Sequence, residues 1–352
     1  MSRIEKPRLA MASLPRRRLL AAAGALTLAA CRPKMALIKT SHTPPLDLER
    51  INRQVRDIAA RARPGVVGVG LKNLESGEVF TLAADRGFPM QSVFKAPLGA
   101  AVLAEADAGR LSLDEPFTLE ATDLSPPYSP IAKAWPARRD YAARDLLAAA
   151  VSQSDNTAAD VLMAKIGGPG ALTAWLAAER IEGVRVDRYE RELQPEMLGL
   201  GAFRPAWSGE AFETALEAVP PEQQRQALTA YLADPRDTAT PRGMLDFLNL
   251  LNDGELLSPA STRLLLELMT ASRTGVQRIA AGLPAGSLWA HKTGTGWAVQ
   301  GVASAVNEVG IATLPDKRRY ALAVFVSGAP LEPEACDAMI ADIARALIRG
   351  VG

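Results

Sequence analysis

The sequence predicts an α/β fold of the α+β kind: a five-stranded antiparallel sheet, flanked by terminal helices and interrupted by an all-α subdomain. Three observations lead there. Strand-like runs gather near the two ends of the 352-residue chain, before residue 83 and after residue 287. Helical periodicity fills the stretch between them. Amphipathic helices open and close the set, where each can cover a sheet face.

The elements follow in order. Residues 32–46 read as a polar linker with Pro33, Pro44 and Pro45. Leu48, Ile51, Val55, Ile58 and Ala62 recur at helical spacing until Pro64-Gly65 stops the helix. Val66 to Leu71 and Glu78 to Leu82 read as strands joined through Ser76-Gly77, a hairpin signal. From Ser92 to about Leu251 the pattern is mostly helical, with helices expected at Val93 to Ala108, Asp145 to Gln153 and Thr157 to Ile166. Leu288 to Gly296, Gly301 to Leu314 and Tyr320 to Ser327 read as three more strands, with the last turn at Pro315-Asp316-Lys317. Glu334 to Ile348 is a closing amphipathic helix. One domain, 47–352, therefore divides into an α/β part (47–90 and 283–352) and an all-α part (91–282) inserted between the second and third strands. The site is expected where the parts meet.

Composition narrows the function. Hydrophobic residues make up 48% and charged residues 22%, as in a soluble globular protein. A net charge of +1, with no basic run in the body of the chain, argues against a nucleic-acid partner. No Cys/His cluster has metal-site spacing, so neither metal nor cofactor is expected. A monomer is expected.

Residues 1–31 read as a targeting segment. Arg16-Arg17-Arg18-Leu19-Leu20 precedes an apolar run ending at Ala30, too short to span a bilayer. It resembles a twin-arginine export signal. Leu28-Ala29-Ala30-Cys31 resembles a lipobox, with Cys31 becoming a lipidated first residue; the alternative is ordinary cleavage near Ala30. The expected location is the periplasm, with membrane contact only through that lipid. Cys336 then lacks a disulfide partner and reads as a small core residue.

The chemistry rests on three motifs in order: Ser92-Val93-Phe94-Lys95, Ser154-Asp155-Asn156 and Lys292-Thr293-Gly294. The chain has only two histidines, His42 near the N-terminus and His291 beside Lys292, on a strand where neighbours point to opposite faces. A Ser-His-Asp arrangement is therefore disfavoured, and a serine nucleophile needs another base. Lys95 is one helical turn from Ser92. Taken singly, each motif has a plain structural alternative: a helix cap with a solvated lysine, a cap between two helices, and a bulged edge strand. Gly294 and Gly296 are disfavoured in a strand interior unless something approaches closely, and a ligand along the strand edge is expected there. The ordered coincidence of all three motifs favours one shared site.

These residues resemble the active-site serine penicillin-recognising enzymes, and within them the class A β-lactamases. The resemblance spans roughly residues 47–350 and implies a β-lactamase/D,D-peptidase-like fold. Asp187 to Leu193 resembles the omega-loop segment, with Glu190 at the position of the deacylating glutamate. Tyr128-Ser129-Pro130 resembles the pocket-wall segment, and Arg236-Asp237-Thr238 the loop exit, so that Arg188 and Asp237 would pair.

The implied activity is hydrolysis of the β-lactam amide bond of penicillins or cephalosporins. Ser92 attacks, Lys95 or Glu190 takes its proton, and Ser154 protonates the leaving nitrogen. Lys292, Thr293 and Thr295 bind the substrate carboxylate, Asn156 and Tyr128 hold its side chain, and Gln194 helps hold the water that Glu190 activates.

Several features depart from the family pattern. Gln194 stands where asparagine is usual, and its extra methylene is expected to displace that water. Arg191 stands where proline usually follows a cis bond, so a different loop path is expected. The connection from about Pro195 to Asp234, with Trp207, is long, and is expected to make an ordered, enlarged loop (about 185–240) that favours bulky cephalosporins. No arginine follows Lys292 before residue 317, which leaves Arg273 as the expected carboxylate partner. The alternatives are a D,D-peptidase or penicillin-binding protein, which lacks the omega-loop glutamate, and a slow-turnover β-lactam binder.

Overall fold

The computed structural model describes residues 44–125, 127–201 and 210–352. The expected targeting segment with Cys31, most of the expected linker with His42, and Trp207 lie outside the described residues.

The sheet contains β1 (Val66–Asn73), β2 (Val79–Leu82), β3 (Leu288–Thr295), β4 (Ala298–Val299), β5 (Val302–Thr313) and β6 (Arg319–Ala329). Its order is β2-β1-β6-β5-β3, all antiparallel, with β4 pairing β5. The five expected strands are therefore present; the sixth, β4, is only two residues long and carries no readable period. The β1–β2 connection is a turn in which the Asn73 side chain accepts from the Glu75 and Ser76 amides, and Gly77 supplies a left-handed backbone (φ 81°).

Helices α1 (Leu48–Ala59), α2 (Lys95–Asp107), α3 (Ala143–Ser152), α4 (Asn156–Lys165), α5 (Glu190–Met197), α6 (Glu210–Glu217), α7 (Pro221–Ala233), α8 (Pro241–Asp253), α9 (Pro259–Thr270) and α10 (Pro333–Arg349) complete the elements used below. Asp47 caps α1 by accepting from the Arg50 amide at 3.0 Å, and Ile51, Val55 and Ile58 are its buried stripe. These residues share a hydrophobic cluster with Ile340, Ile343 and Leu347 of α10 and with one face of the sheet. A second cluster joins the opposite face, through Ala321, Ala323 and Phe325, to α2, α3, α4 and α8. A third is centred on the long connection, where Leu193, Met197 and Leu198 meet Phe212 and Tyr231, and Trp297 packs against it. Cys336 is a buried free thiol in the α1–α10 cluster, and burial pushes it up to about 11.

The expected helix from Val93 begins later. Gln91–Phe94 is a 3₁₀ turn, and Lys95 is the first residue of α2. Ser92 therefore lies in the lead-in turn rather than at a helix cap. Among the described residues no single helix is long and apolar enough to cross a membrane.

Candidate active site

Ser92, Lys95, Ser154, Asn156, Glu190 and Lys292 converge where β3 meets the helical part. Lys95 is fully buried, and oxygens surround its ammonium: Ser92 Oγ at 3.0 Å, Ser154 O at 2.9 Å, Asn156 Oδ1 at 2.5 Å and Glu190 Oε1 at 3.0 Å. Because Lys95 donates to Ser92 Oγ, the serine proton is left to point at Glu190 Oε1, 3.3 Å away. Gln194 Nε2 donates to the other Glu190 oxygen at 2.8 Å. The added methylene of Gln194 thus does not detach it from the glutamate.

The Ser154-Asp155-Asn156 tripeptide divides its work. Asp155 is the cap of α4, accepting from the Ala158 amide at 2.9 Å and from Ser129 Oγ and the Ile131 amide as well. Relieved of capping, Ser154 takes a left-handed backbone (φ 62°), a conformation that costs a non-glycine residue about 1 kcal/mol or more. Its hydroxyl accepts from Lys292 Nζ at 2.9 Å. Lys292 is fully buried, and burial, with Lys95 nearby, holds its ammonium well below the usual lysine range.

The glycines of β3 have a different cause from the one expected. A Cβ on Gly294 would strike the Met90 carbonyl oxygen, and one on Gly296 would strike Ser304 Oγ. The close approach is by the chain itself rather than by a ligand. It brings β3 against the turn that carries Ser92, and Asn307 Nδ2 on β5 holds the same turn through the Pro89 and Met90 carbonyls.

The omega-loop segment is pinned as the resemblance implied. Arg188 Nε donates to Asp237 Oδ2 at 2.6 Å, and Asp237 Oδ1 accepts from the Asp187 and Arg188 amides. The peptide bond between Glu190 and Arg191 is trans, since only Arg63–Pro64 and Trp135–Pro136 are cis among the described residues. Asp160, buried in α4, secures this loop path by accepting from the Glu190 amide at 2.8 Å and the Arg191 amide at 3.0 Å. Burial, opposed by the Ser125 hydrogen bond and by Arg191, raises its carboxyl to about 6.

A cleft of about 420 Å³ opens beside Ser92; its walls include Tyr128, Asn156, Gln194, Thr293, Thr295 and Trp297. Tyr128 is half exposed, and its carbonyl accepts from the Asn156 amide. The cationic wall is Arg278, which replaces the expected Arg273. Its Nη2 donates to Thr295 Oγ1 at 2.9 Å, its Nη1 to the Asn307 carbonyl at 3.0 Å, and its Nε to Asp337 at 2.6 Å. Arg273 does not line the cleft. Thr293 Oγ1 meets Thr274 Oγ1 at 2.7 Å.

His291 bonds to the Thr274 and Trp289 carbonyls, and none of its hydrogen bonds reaches Ser92. Below it, buried Glu308 accepts from Trp289 Nε1 and the Ile279 amide, and burial raises its carboxyl to about 7. Sequence reasoning missed Arg278, Asp160 and Glu308. The available signal was a single charge within an apolar run in the two acids, since such a charge must find partners when buried. Among the described residues no group of three or more His, Cys, Asp or Glu could hold a metal ion.

Comparison with known proteins agrees with this geometry. The model of the Beta-lactamase enzyme family matches residues 50–351. Beta-lactamase VEB-1 of Pseudomonas aeruginosa is 29% identical over 286 residues, 81% of this chain and 85% of that protein. The crystal structure of a β-lactamase from Chitinophaga pinensis is 32% identical with a TM-score of 0.69, covering 86% of this chain and 99% of that one. The class A β-lactamase of the last common ancestor of Gram-negative bacteria is 33% identical, also with a TM-score of 0.69, covering 85% and 98%. The chain thus belongs to the beta-lactamase enzyme family, as a class A serine hydrolase of the β-lactam amide bond.

Proposed function

We propose that Ser92 is the nucleophile and Glu190 the base of both half-reactions. The observation that carries this reading is the position of Ser92 Oγ between Lys95 Nζ and Glu190 Oε1. Ser92 Oγ attacks the β-lactam carbonyl carbon as its proton passes to Glu190. Lys95 supplies positive charge at the attacking oxygen, and the Ser92 and Thr295 N–H groups face the developing oxyanion. The carbon–nitrogen bond breaks as Ser154, backed by Lys292, delivers a proton to the nitrogen, and the proton held by Glu190 passes back to Ser154 by way of Lys95, which leaves Glu190 ionised again. Glu190 then takes a proton from water, the resulting hydroxide attacks the ester carbon, and Ser92 leaves with its proton restored.

Thr293, Thr295 and Arg278 form the carboxylate end of the cleft, with Lys292 buried behind it against Ser154 Oγ, and Asn156 with Tyr128 form the side-chain end. The Gln194–Glu190 contact favours a hydrolase over a slow-turnover binder or a D,D-peptidase. The long connection is proposed to favour bulky cephalosporins. The N-terminal pattern supports periplasmic export with a lipid on Cys31, and the catalytic unit is proposed to act as a monomer.

The test is hydrolysis of a chromogenic cephalosporin followed by intact mass, beside Glu190→Ala. Turnover by the parent is expected, and in the variant an acyl-enzyme that forms more slowly and then persists. A trapped acyl-enzyme on the parent would move the reading to a peptidase or binder.

A further inference from the structure

Glu190 does not end its contacts at Gln194. The two N–H bonds of the Gln194 amide are spent on Glu190 Oε2 at 2.8 Å and Gln91 Oε1 at 3.0 Å. Gln91 is buried, takes a left-handed backbone (φ 48°) and immediately precedes the nucleophile. Its own two N–H bonds go to the Tyr231 hydroxyl and to Met197 Sδ at 3.3 Å. Tyr231 is buried on α7, within the long connection.

The chain of amides has a fixed polarity. A primary amide has a donor end and an acceptor end, and these are interchanged by a half-turn of the side chain. The Glu190 carboxylate only accepts, so Gln194 presents its amino group, with one hydrogen for Glu190 and one for the Gln91 carbonyl, and Gln91 presents its own amino group to the Tyr231 oxygen. With the hydroxyl gone, only the Met197 sulfur, a weak acceptor, holds the amino end of Gln91. The Gln91 carbonyl is then no longer held in place, and the Gln194 amide that leans on it loses its aim at Glu190.

The same helix is braced on the other side of the cleft. Arg225 Nη1 donates to Gln300 Oε1 at 2.7 Å, Gln300 Nε2 donates to the Pro221 carbonyl at 2.8 Å, and Trp297 packs against the cluster that contains Tyr231. This bracing ties the helix that carries Tyr231 to the β4–β5 turn.

We propose that Tyr231 is a positioning residue for deacylation, acting through Gln91 and Gln194 on the orientation of Glu190. The inference rests on Glu190 being the deacylation base. It gives the long connection a part in turnover as well as in the shape of the rim.

The experiment is rapid-quench intact-mass kinetics of the purified protein with a chromogenic cephalosporin. It compares Tyr231→Phe, Gln194→Ala, the double variant and Glu190→Ala, with melting temperatures measured alongside. Tyr231→Phe should lower deacylation and kcat about tenfold, with KM falling in parallel. Acylation, in which Ser92 meets the other Glu190 oxygen, Oε1, directly, and kcat/KM should fall far less, staying within about twofold. The effect should vanish in the Gln194→Ala background, where the relay is already cut. Gln91→Met, which removes the middle of the relay at similar volume, should give the same division between kcat and kcat/KM if Tyr231→Phe folds poorly.

Parent-like kcat in Tyr231→Phe, or an undiminished effect beside Gln194→Ala, would overturn the proposal. A joint fall in kcat/KM and melting temperature would reduce Tyr231 to a packing role and overturn it equally. Parent-like deacylation in Glu190→Ala would remove the underlying reading, and the inference with it.

Discussion

Arg278 offers a quantitative test of how the cleft reads its substrate. Arg278 is buried, and its guanidinium is held by three separate acceptors, Thr295 Oγ1, the Asn307 carbonyl and Asp337. A group fixed in this way loses little freedom when a substrate carboxylate arrives. Hydrogen bonds to charged groups contribute about 1.5–3 kcal/mol, so Arg278→Ala should lower kcat/KM by about 10- to 150-fold for a carboxylate-bearing penicillin. The assay is a cycle between protein and substrate, in which parent and variant are each measured with a penicillin and with its methyl ester. The parent should prefer the acid strongly, and Arg278→Ala should lose most of that preference. Arg278→Lys should fall between them, because a point charge cannot meet the three acceptors in one plane. Some stability is also lost, because Asp337 and the Asn307 carbonyl each give up a donor. The acid-to-ester ratio is insensitive to that loss. An unchanged ratio in Arg278→Ala would refute the assignment of the carboxylate to this wall.

Two further outcomes follow from buried charges. Asp237→Ala strips the acceptor from the Asp187 amide, the Arg188 amide and Arg188 Nε, and should cost about 3–5 kcal/mol in urea unfolding; a loss below about 1 kcal/mol would show that Glu196 and Asp234 hold Arg188 unaided. Glu308, raised by burial from 4.5 to about 7, binds a proton in the folded state that the unfolded chain has already released, so its contribution makes stability fall as pH rises from about 4.5 to 7, by about 3 kcal/mol in all. Glu308→Gln should flatten that slope in melts at pH 5, 6 and 7, and an unaltered slope would assign the titration elsewhere.

Most of the scaffold was legible because it follows local rules. The Ile51-Val55-Ile58 stripe, the Ser76-Gly77 turn and the nearly continuous apolar runs of β5 and β6 each declare themselves within a dozen residues. The three motifs were readable because their residue types are chemically restrictive.

What escaped was long-range. Nothing near Tyr231 points to Gln91, which is 140 positions away. Whether Arg273 or Arg278 turns into the cleft depends on Thr295, Asn307 and Asp337, all from later segments. The glycines of β3 were noticed correctly but given the wrong neighbour, because a close approach by the chain's own Met90 leaves the same mark in sequence as a bound ligand.

The pairing of β1 with β6 carries a consequence for biosynthesis. Val66 faces Ser327, about 260 positions later, and Asn73 faces Tyr320. As the chain emerges, Ser92, Lys95 and Glu190 are made early, while β1 waits with one edge unpaired until almost the last residues appear. Lys292 also arrives only with the closing strands. A chain that stops before residue 292 would therefore carry its nucleophile without Lys292, with its catalytic centre incomplete and an apolar strand edge open to association with other chains. The apolar run of β1 is the segment a holding chaperone has most reason to cover.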